Sequence, residues 1–186
     1  TFSWPNSSSG ADIGVRLNGG GNASVATTAT EVIDGYSESY DTDTMHSTSA
    51  NFCELRVSAV TGEIRVDRLV GAFDCGRILN AKTATSQFKG GMIMGLGMAL
   101  TEETLLDERT GRIMSTSLAD YHVPVHLDVP DIDVLWTDIP DPRTPLGARG
   151  IGEIGTTGVA AAIANAVFNA TGKRVRDLPL TLDRLI

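Results

Sequence analysis

The sequence predicts an α+β fold in which helices are layered on a mostly antiparallel sheet. Three observations carry this: an alternating hairpin pattern over residues 52–73, two long stretches of helical character at 83–103 and 156–172, and the order in which they come. That order, strand pair, helix, strand pair, strand, helix, strand, segregates helices from antiparallel strands rather than alternating them as a doubly wound sheet would.

Residues 1–45 are rich in Ser, Thr, Gly and Asn and include Asn18-Gly-Gly-Gly-Asn22. Such a composition buries little apolar area, so it reads as an irregular lead-in with a flexible turn at the glycines and at most a strand near Val25 or Val32. The domain proper is expected over 46–186. Its hairpin places Cys53, Leu55 and Val57 on one face, turns at Thr61-Gly62, and returns Ile64 and Val66 to the same face. The first helical stretch, Thr83 to Glu103, contains Gly90, Gly91, Gly95 and Gly97. Each costs about 1 kcal/mol against alanine, so close approach of another backbone or of a cofactor is expected to offset them. Met92, Met94 and Met98 are expected as core filling.

A second hairpin is expected from Leu105-Leu106 through the Asp107–Gly111 turn to Ile113–Leu118. Ile132, Val134 and Trp136 alternate with aspartates as a one-faced strand. The prolines at 140, 142 and 145 forbid regular structure and make a stiff lead into a glycine-rich loop, Gly147 to Gly158. That loop carries Glu153 and runs into an alanine-rich helix with Thr156 and Thr157 placed to cap its start and Gly172 at its end. A carboxylate and free N–H groups at a helix mouth suit a ligand site. After Gly172 at most one short strand is expected.

Fifteen basic and 23 acidic residues give a net charge of −8, and the basic ones are scattered, which disfavours a nucleic-acid or anionic-membrane surface. No apolar run reaches the ~18 residues of a membrane span. The two cysteines, Cys53 and Cys75, have neither disulfide-framework nor zinc-site spacing and read as buried thiols. His46, His122 and His126 are not spaced as metal ligands, so no side-chain metal site is expected. The chain opens at Thr1 rather than methionine, which suggests a piece of something larger.

Gly150-Ile-Gly-Glu-Ile-Gly155 fits G-x-G-x-x-G, and Asp177 lies at a suitable distance for a ribose contact, so a dinucleotide-binding domain is one alternative. Its context is poor, because prolines rather than a strand precede the loop. The other alternative is a non-catalytic interaction domain, with the loop structural and Glu153 capping the helix or meeting Arg149.

The combination of Asp74-Cys-Gly-Arg-Ile-Leu-Asn80, Gln87-Phe-Lys-Gly-Gly91 with Met94-Gly-Leu-Gly-Met-Ala-Leu-Thr-Glu-Glu103, Tyr121-His-Val-Pro124 and Gly147-Ala-Arg-Gly-Ile-Gly-Glu153 resembles the C-terminal part of the molybdenum-binding large subunit of the xanthine oxidase family. The motifs run from about Ala50 to the end in the family's order. The close, Val167 to Leu182, is most similar to bacterial aldehyde oxidoreductases of the isoquinoline and aldehyde oxidase type. Glu153 is followed by Ile-Gly where xanthine dehydrogenases commonly carry Pro-Pro, which argues against purine specificity. Ser47-Thr-Ser-Ala50 replaces a more usual Phe-Gly pair.

The resemblance implies that 46–186 is the family's C-terminal molybdopterin-binding domain, part of a hydroxylase that oxidises aldehydes or N-heterocycles with water-derived oxygen. It implies Glu153 as the base toward a molybdenum-bound hydroxyl, Gln87 as an amide contact to the pterin, and Gly91 and Gly152 as places where backbone meets cofactor. The cofactor would be molybdopterin, in its cytosine dinucleotide form. Iron–sulfur and FAD centres would lie on partner chains or domains, and the compartment, cytoplasm or periplasm, stays open. The isolated piece is expected to fold without holding the cofactor tightly or turning over substrate.

Overall fold

The computed structural model describes residues 14–17, 23–26 and 46–185. The turn expected at Asn18–Asn22 and a strand near Val32 lie outside them. Val25 belongs to a short strand, β2 (Ala23–Ala26), paired antiparallel with β1 (Gly14–Leu17).

The central element is a three-stranded sheet in the order β3 (Thr48–Val57), β4 (Ile64–Asp74), β7 (Asp131–Trp136). β3 and β4 form the hairpin that the alternation predicts, with Cys53, Leu55, Val57, Ile64 and Val66 packed against the core. A bulge between Glu54 and Leu55 leaves Asp67 without a ladder partner, and its carboxylate takes a two-pronged bond from Arg56 at 2.7 and 2.9 Å. β7 joins β4 in parallel, Arg68 opposite Asp131 through Phe73 opposite Trp136, so the sheet is mixed. A parallel neighbour requires a long crossover, and the intervening chain supplies it with a helix.

That helix, α1 (Ala81–Leu100), starts at Asn80, whose side chain accepts from the N–H groups of Lys82 and Thr83. Ala84, Phe88, Met92 and Leu96 recur every fourth residue and are buried. The second helix, α2 (Val159–Thr171), buries Val159, Ile163 and Val167 and ends at Gly172 in the left-handed conformation, as expected. α2 crosses β3, and α1 packs on α2 and reaches β4 and β7, so both helices cover one face of the sheet. Between the layers Phe73 stacks on Phe88 at 4.2 Å between ring centroids, with Trp136 beside Phe88. Each fully buried side chain of this kind contributes about 1.5–3 kcal/mol.

Three expectations need correction. The second hairpin has only two residues per strand, β5 (Leu106–Asp107) and β6 (Arg112–Ile113). Beyond Ile113 the ladder gives way because the Ser115 hydroxyl, not a main-chain carbonyl, accepts the Leu105 N–H. The helix expected from Thr156 begins at Val159, entered through Gly158 at φ 86°; Thr157 bonds back to the Ile154 carbonyl and caps nothing. Met94 and Met98 are not core filling: they are 63% and 46% exposed, and only Met92 is buried. Among the described residues of the tail after Gly172 no strand forms, and Leu180 is instead held to the end of α1 by its N–H bond to the Ala99 carbonyl.

Candidate functional site

The four glycines of α1 have two different explanations. A Cβ on Gly91 would lie 2.8 Å from the Cα of Gly155, and one on Gly155 would lie 2.6 Å from the Phe88 carbonyl oxygen. Gly95 likewise clears Val159, and Gly97 clears Pro124 and the Glu102 side chain. Gly91, Gly95 and Gly155 are glycine because α1 crosses the Glu153 loop and the start of α2 in close contact, and Gly97 because the chain at Glu102 and Pro124 folds back onto it. Gly90 is different. Nothing stands within 4 Å of a Cβ there, and its φ is ordinary for an L-residue.

Gly150 and Gly152 share that property. The other described glycines with open space, Gly111 and Gly172, have positive φ and are accounted for by their turns. Gly90, Gly150 and Gly152 therefore have no intramolecular reason to lack a side chain, and all three border the concave surface around Glu153. On one side lies a cleft of about 600 Å³ lined by Gln87, Gly90, Gly91, Met94, Met98 and Thr156 together with Gly152 and Glu153. On the other lies a cleft of about 400 Å³ that includes His46, Ser47, Arg149 and Gly150. Glu153 stands on the ridge between them.

The loop is fixed at several points while its carboxylate is left free. Arg149 N–H donates to the Cys75 carbonyl, Ser47 Oγ to the Gly150 carbonyl at 2.7 Å, Gln87 Nε2 to the Gly152 carbonyl at 2.6 Å, and Thr156 N–H to the Glu153 carbonyl. The Glu153 side chain is exposed and makes no hydrogen bond or ion pair with a described residue. It neither caps α2, which starts six residues later, nor meets Arg149, whose guanidinium is engaged by Asp74 at 2.8 Å and Asp141 at 3.3 Å. The structural roles weighed for it are thus both overturned. Arg143 and Arg149 hold the Asp141 carboxyl at about 2, the hydrogen bonds from Arg143 acting most strongly.

The structure brings Gln87, Gly91, Gly152 and Glu153 to one cleft. Gln87 spends its amide N–H on the loop, leaving its side-chain carbonyl as a free acceptor. Gly91 borders the cleft, but Gly155 already explains its missing side chain; Gly90 is the member of the Gly-Gly pair that opens outward. Sequence reasoning missed this, since the pair itself does not say which member faces the partner backbone. His122 bonds the Ala119 carbonyl, and among the described residues no three His, Cys, Asp or Glu side chains gather as metal ligands. Cys75 is buried and Cys53 half-buried. No described helix is long and apolar enough to cross a membrane. The dinucleotide alternative finds no support, because the Gly150–Gly155 loop follows a 3-10 turn at Pro145–Gly147 and not a strand of the parallel pair.

A bound cofactor that is held by backbone approach, and not by ligating side chains, requires a cradle of this sort. The unfilled space over Gly90, Gly150 and Gly152 and the free Gln87 acceptor fit such a group. The molybdopterin cofactor-binding domain family matches residues 18–130, more than half of the chain, a range that includes Gln87 and Gly91 and ends before the Glu153 loop. The molybdenum-binding subunit PaoC of an aldehyde oxidoreductase from Escherichia coli K12 is 51% identical over 139 residues, 74% of this chain and 19% of its own length. The putative xanthine dehydrogenase molybdenum-binding subunit XdhA of the same organism is 38% identical over 134 residues, 72% of this chain and 18% of its own. Among solved structures, the aldehyde oxidoreductase from Desulfovibrio desulfuricans ATCC 27774 aligns with a TM-score of 0.68 and 31% identity, covering 75% of this chain and 15% of that one. The chain thus spans about a fifth of the length of the curated relatives it matches. It belongs to the molybdopterin cofactor-binding domain family, as part of a molybdenum-binding subunit of the xanthine oxidase family.

Proposed function

We propose that this chain supplies the catalytic base of a molybdenum hydroxylase that oxidises aldehydes to carboxylic acids or hydroxylates N-heterocycles. The observation that carries the reading is Glu153: a carboxylate with no partner among the described residues, held by a four-point-anchored loop and bordered by Gly90, Gly150 and Gly152, which lack an internal cause. A base needs its loop fixed and its oxygens free, and this arrangement provides both.

When bound, the molybdopterin cofactor supplies an activated, water-derived oxygen and takes up the electrons of the oxidation. Gly90, Gly150 and Gly152 let it come close to the main chain. Gln87 offers its side-chain carbonyl to a pterin N–H. Glu153 accepts the proton at a carboxylate oxygen, and the thioethers of Met94 and Met98 give the cleft an apolar wall. The cofactor is the cytosine dinucleotide form. Iron–sulfur and FAD centres on partner chains would receive the electrons; the relatives' names, as subunits, support a multi-subunit enzyme. The Ile-Gly that follows Glu153 favours aldehydes over purines.

The test is Glu153→Gln in the intact multi-subunit enzyme, with bound molybdenum and aldehyde turnover measured on one preparation. Turnover falls by several orders of magnitude with molybdenum retained. Near-normal turnover would leave the loop a structural element. The chain alone neither retains the cofactor through gel filtration nor oxidises aldehydes; measurable turnover by the isolated chain would remove that part of the reading.

A further inference from the structure

The cluster of charges at the root of the Glu153 loop has no part in the chemistry proposed above, and its construction is more elaborate than loop closure requires. The Arg149 side chain is only 15% exposed, and that of Asp141 only 4%. Arg149 Nη2 lies 2.8 Å from Asp74 Oδ2 and donates to the Asp74 carbonyl at 3.2 Å, while Nη1 lies 3.3 Å from Asp141 Oδ2. Its Nε is buried and unpartnered. Asp141 is gripped from its other side by Arg143, and Asp74 receives the Thr137 hydroxyl. The Arg149–Asp141 pair at the centre of this network is buried, while Asp74 and Arg143 are 39% and 42% exposed; burying that pair is costly, and apolar side chains of similar volume would hold a loop at least as well, so stability alone is a weak account of it.

What the network does is join three segments at one guanidinium. Asp74 ends β4, Asp141 lies in the proline-rich approach, and Arg149 begins the run to Glu153. Between Arg149 and Glu153 stand Gly150 and Gly152, neither with an atom within 4 Å of where a Cβ would stand nor held by left-handed geometry. Backbone preference therefore does not fix where the carboxylate sits, and the anchors must. Downstream, the Gly91–Gly155 crossing holds the loop; upstream, Ser47 and Gln87 hold the carbonyls of Gly150 and Gly152, and the Arg149 side chain ties the root of the loop to Asp74 and Asp141.

We propose that Arg149 is a positioning residue for the reaction: by bridging Asp74 and Asp141 it fixes the root of the loop and hence the place of the Glu153 carboxylate, without touching substrate. This rests on Glu153 being the base. Arginine suits the place because two separate nitrogens of one rigid plane meet the two carboxylates, a geometry that the single ammonium of lysine does not reproduce.

The test is Arg149→Lys in the intact enzyme, with kcat, KM, molybdenum content, melting temperature and amide exchange at residues 150–154 measured together. We expect kcat to fall roughly 10- to 100-fold, as a displacement of about 1 Å would produce. KM and molybdenum content stay within about twofold of wild type, and the loop amides exchange faster. Asp141→Asn, which keeps the shape and weakens one arm, moves kcat and exchange in the same direction by less. Unchanged kcat in both variants would overturn the proposal, as would a kcat loss that merely tracks lost molybdenum or a lowered melting temperature. Glu153→Gln separates the two readings: if it abolishes turnover while Arg149→Lys does nothing, only the positioning role fails, whereas turnover surviving Glu153→Gln removes the base itself.

Discussion

The amide nitrogen of Gln87, near the start of α1, lies 2.6 Å from the carbonyl oxygen of Gly152, one residue before Glu153. A residue expected only to face a cofactor thus also ties the helix to the loop that carries the base. Gln87→Glu keeps the size but removes the donor and sets carboxylate lone pairs against a carbonyl. Because an exposed bond of this kind is worth about 0.5–1.5 kcal/mol, the melting temperature of the enzyme should move little. Turnover should fall at least tenfold, through a displaced Glu153. Steady-state kinetics beside a thermal melt would show it, and a variant with wild-type kcat would mean that the bond does not matter to the base.

The two kinds of glycine make opposite predictions. Gly155→Ala drives a Cβ to 2.6 Å from the Phe88 carbonyl, and Gly91→Ala drives one to 2.8 Å from Gly155. Neither backbone can yield without parting α1 from the Glu153 loop, so each should destabilise the enzyme by about 1–3 kcal/mol or more. Gly90→Ala meets nothing and gains helix propensity, so its fold should be more stable by up to about 1 kcal/mol. If the space over Gly90 is where the cofactor comes, molybdenum content should nonetheless drop. Metal analysis and denaturant melts on the three variants decide it: a Gly90→Ala enzyme that is both stabilised and fully loaded would show that nothing approaches there.

How much of this was legible beforehand follows from what each signal depends on. The hairpin was readable because Cys53, Leu55, Val57, Ile64 and Val66 alternate, and alternation is a local property. The parallel pairing of β7 with β4 was not, since Ile132, Val134 and Trp136 present the same period whichever way the strand runs. Glycine demand in α1 was visible, but its partner Gly155 lies far along the chain, so cofactor and helix crossing could not be told apart. The threonines before α2 satisfied a capping pattern, yet Gly158 in the left-handed region turned the chain into the helix first. Glu153 stands out in the sequence through the glycines around it, but its surroundings do not: Arg149 is a plausible partner by proximity, and only the fold shows that Asp74 and Asp141 take it.

The thiols should be inert in the native state. Burial pushes Cys53 up to about 12, with the charges of Asp67 and Glu54 adding to it, and burial also raises Cys75. Since the thiolate is the reactive form, iodoacetamide at pH 8 should label neither cysteine in the folded enzyme and both after denaturation. Mass spectrometry of peptides spanning Cys53 and Cys75 reads this out. The linkage has a sign as well: the folded state retains the Cys53 proton more tightly than the unfolded chain, so that contribution is full below about 9 and is lost as pH rises toward about 12. Rapid native labelling of Cys53 would mean that β3 opens there.

Acid should weaken the clamp beneath the Glu153 loop. Hydrogen bonds from Arg143 hold Asp141 at about 2, and Thr137 with Arg149 lowers Asp74, whereas an unfolded aspartate titrates near 3.8. Between those values the unfolded chain binds protons that the folded one refuses, so stability is present above about pH 4 and declines as pH falls toward 2. Melting temperature should therefore drop through that window. Asp141→Asn, which has no proton to take up, should lower the neutral-pH plateau and flatten the acid slope; Asp67, Asp74, Asp107 and Asp183, also lowered, keep the slope from vanishing. A pH series of thermal melts on both proteins is sufficient. An Asp141→Asn slope as steep as wild type would place the acid sensitivity in those other carboxylates, and Asp141 would then contribute nothing to it.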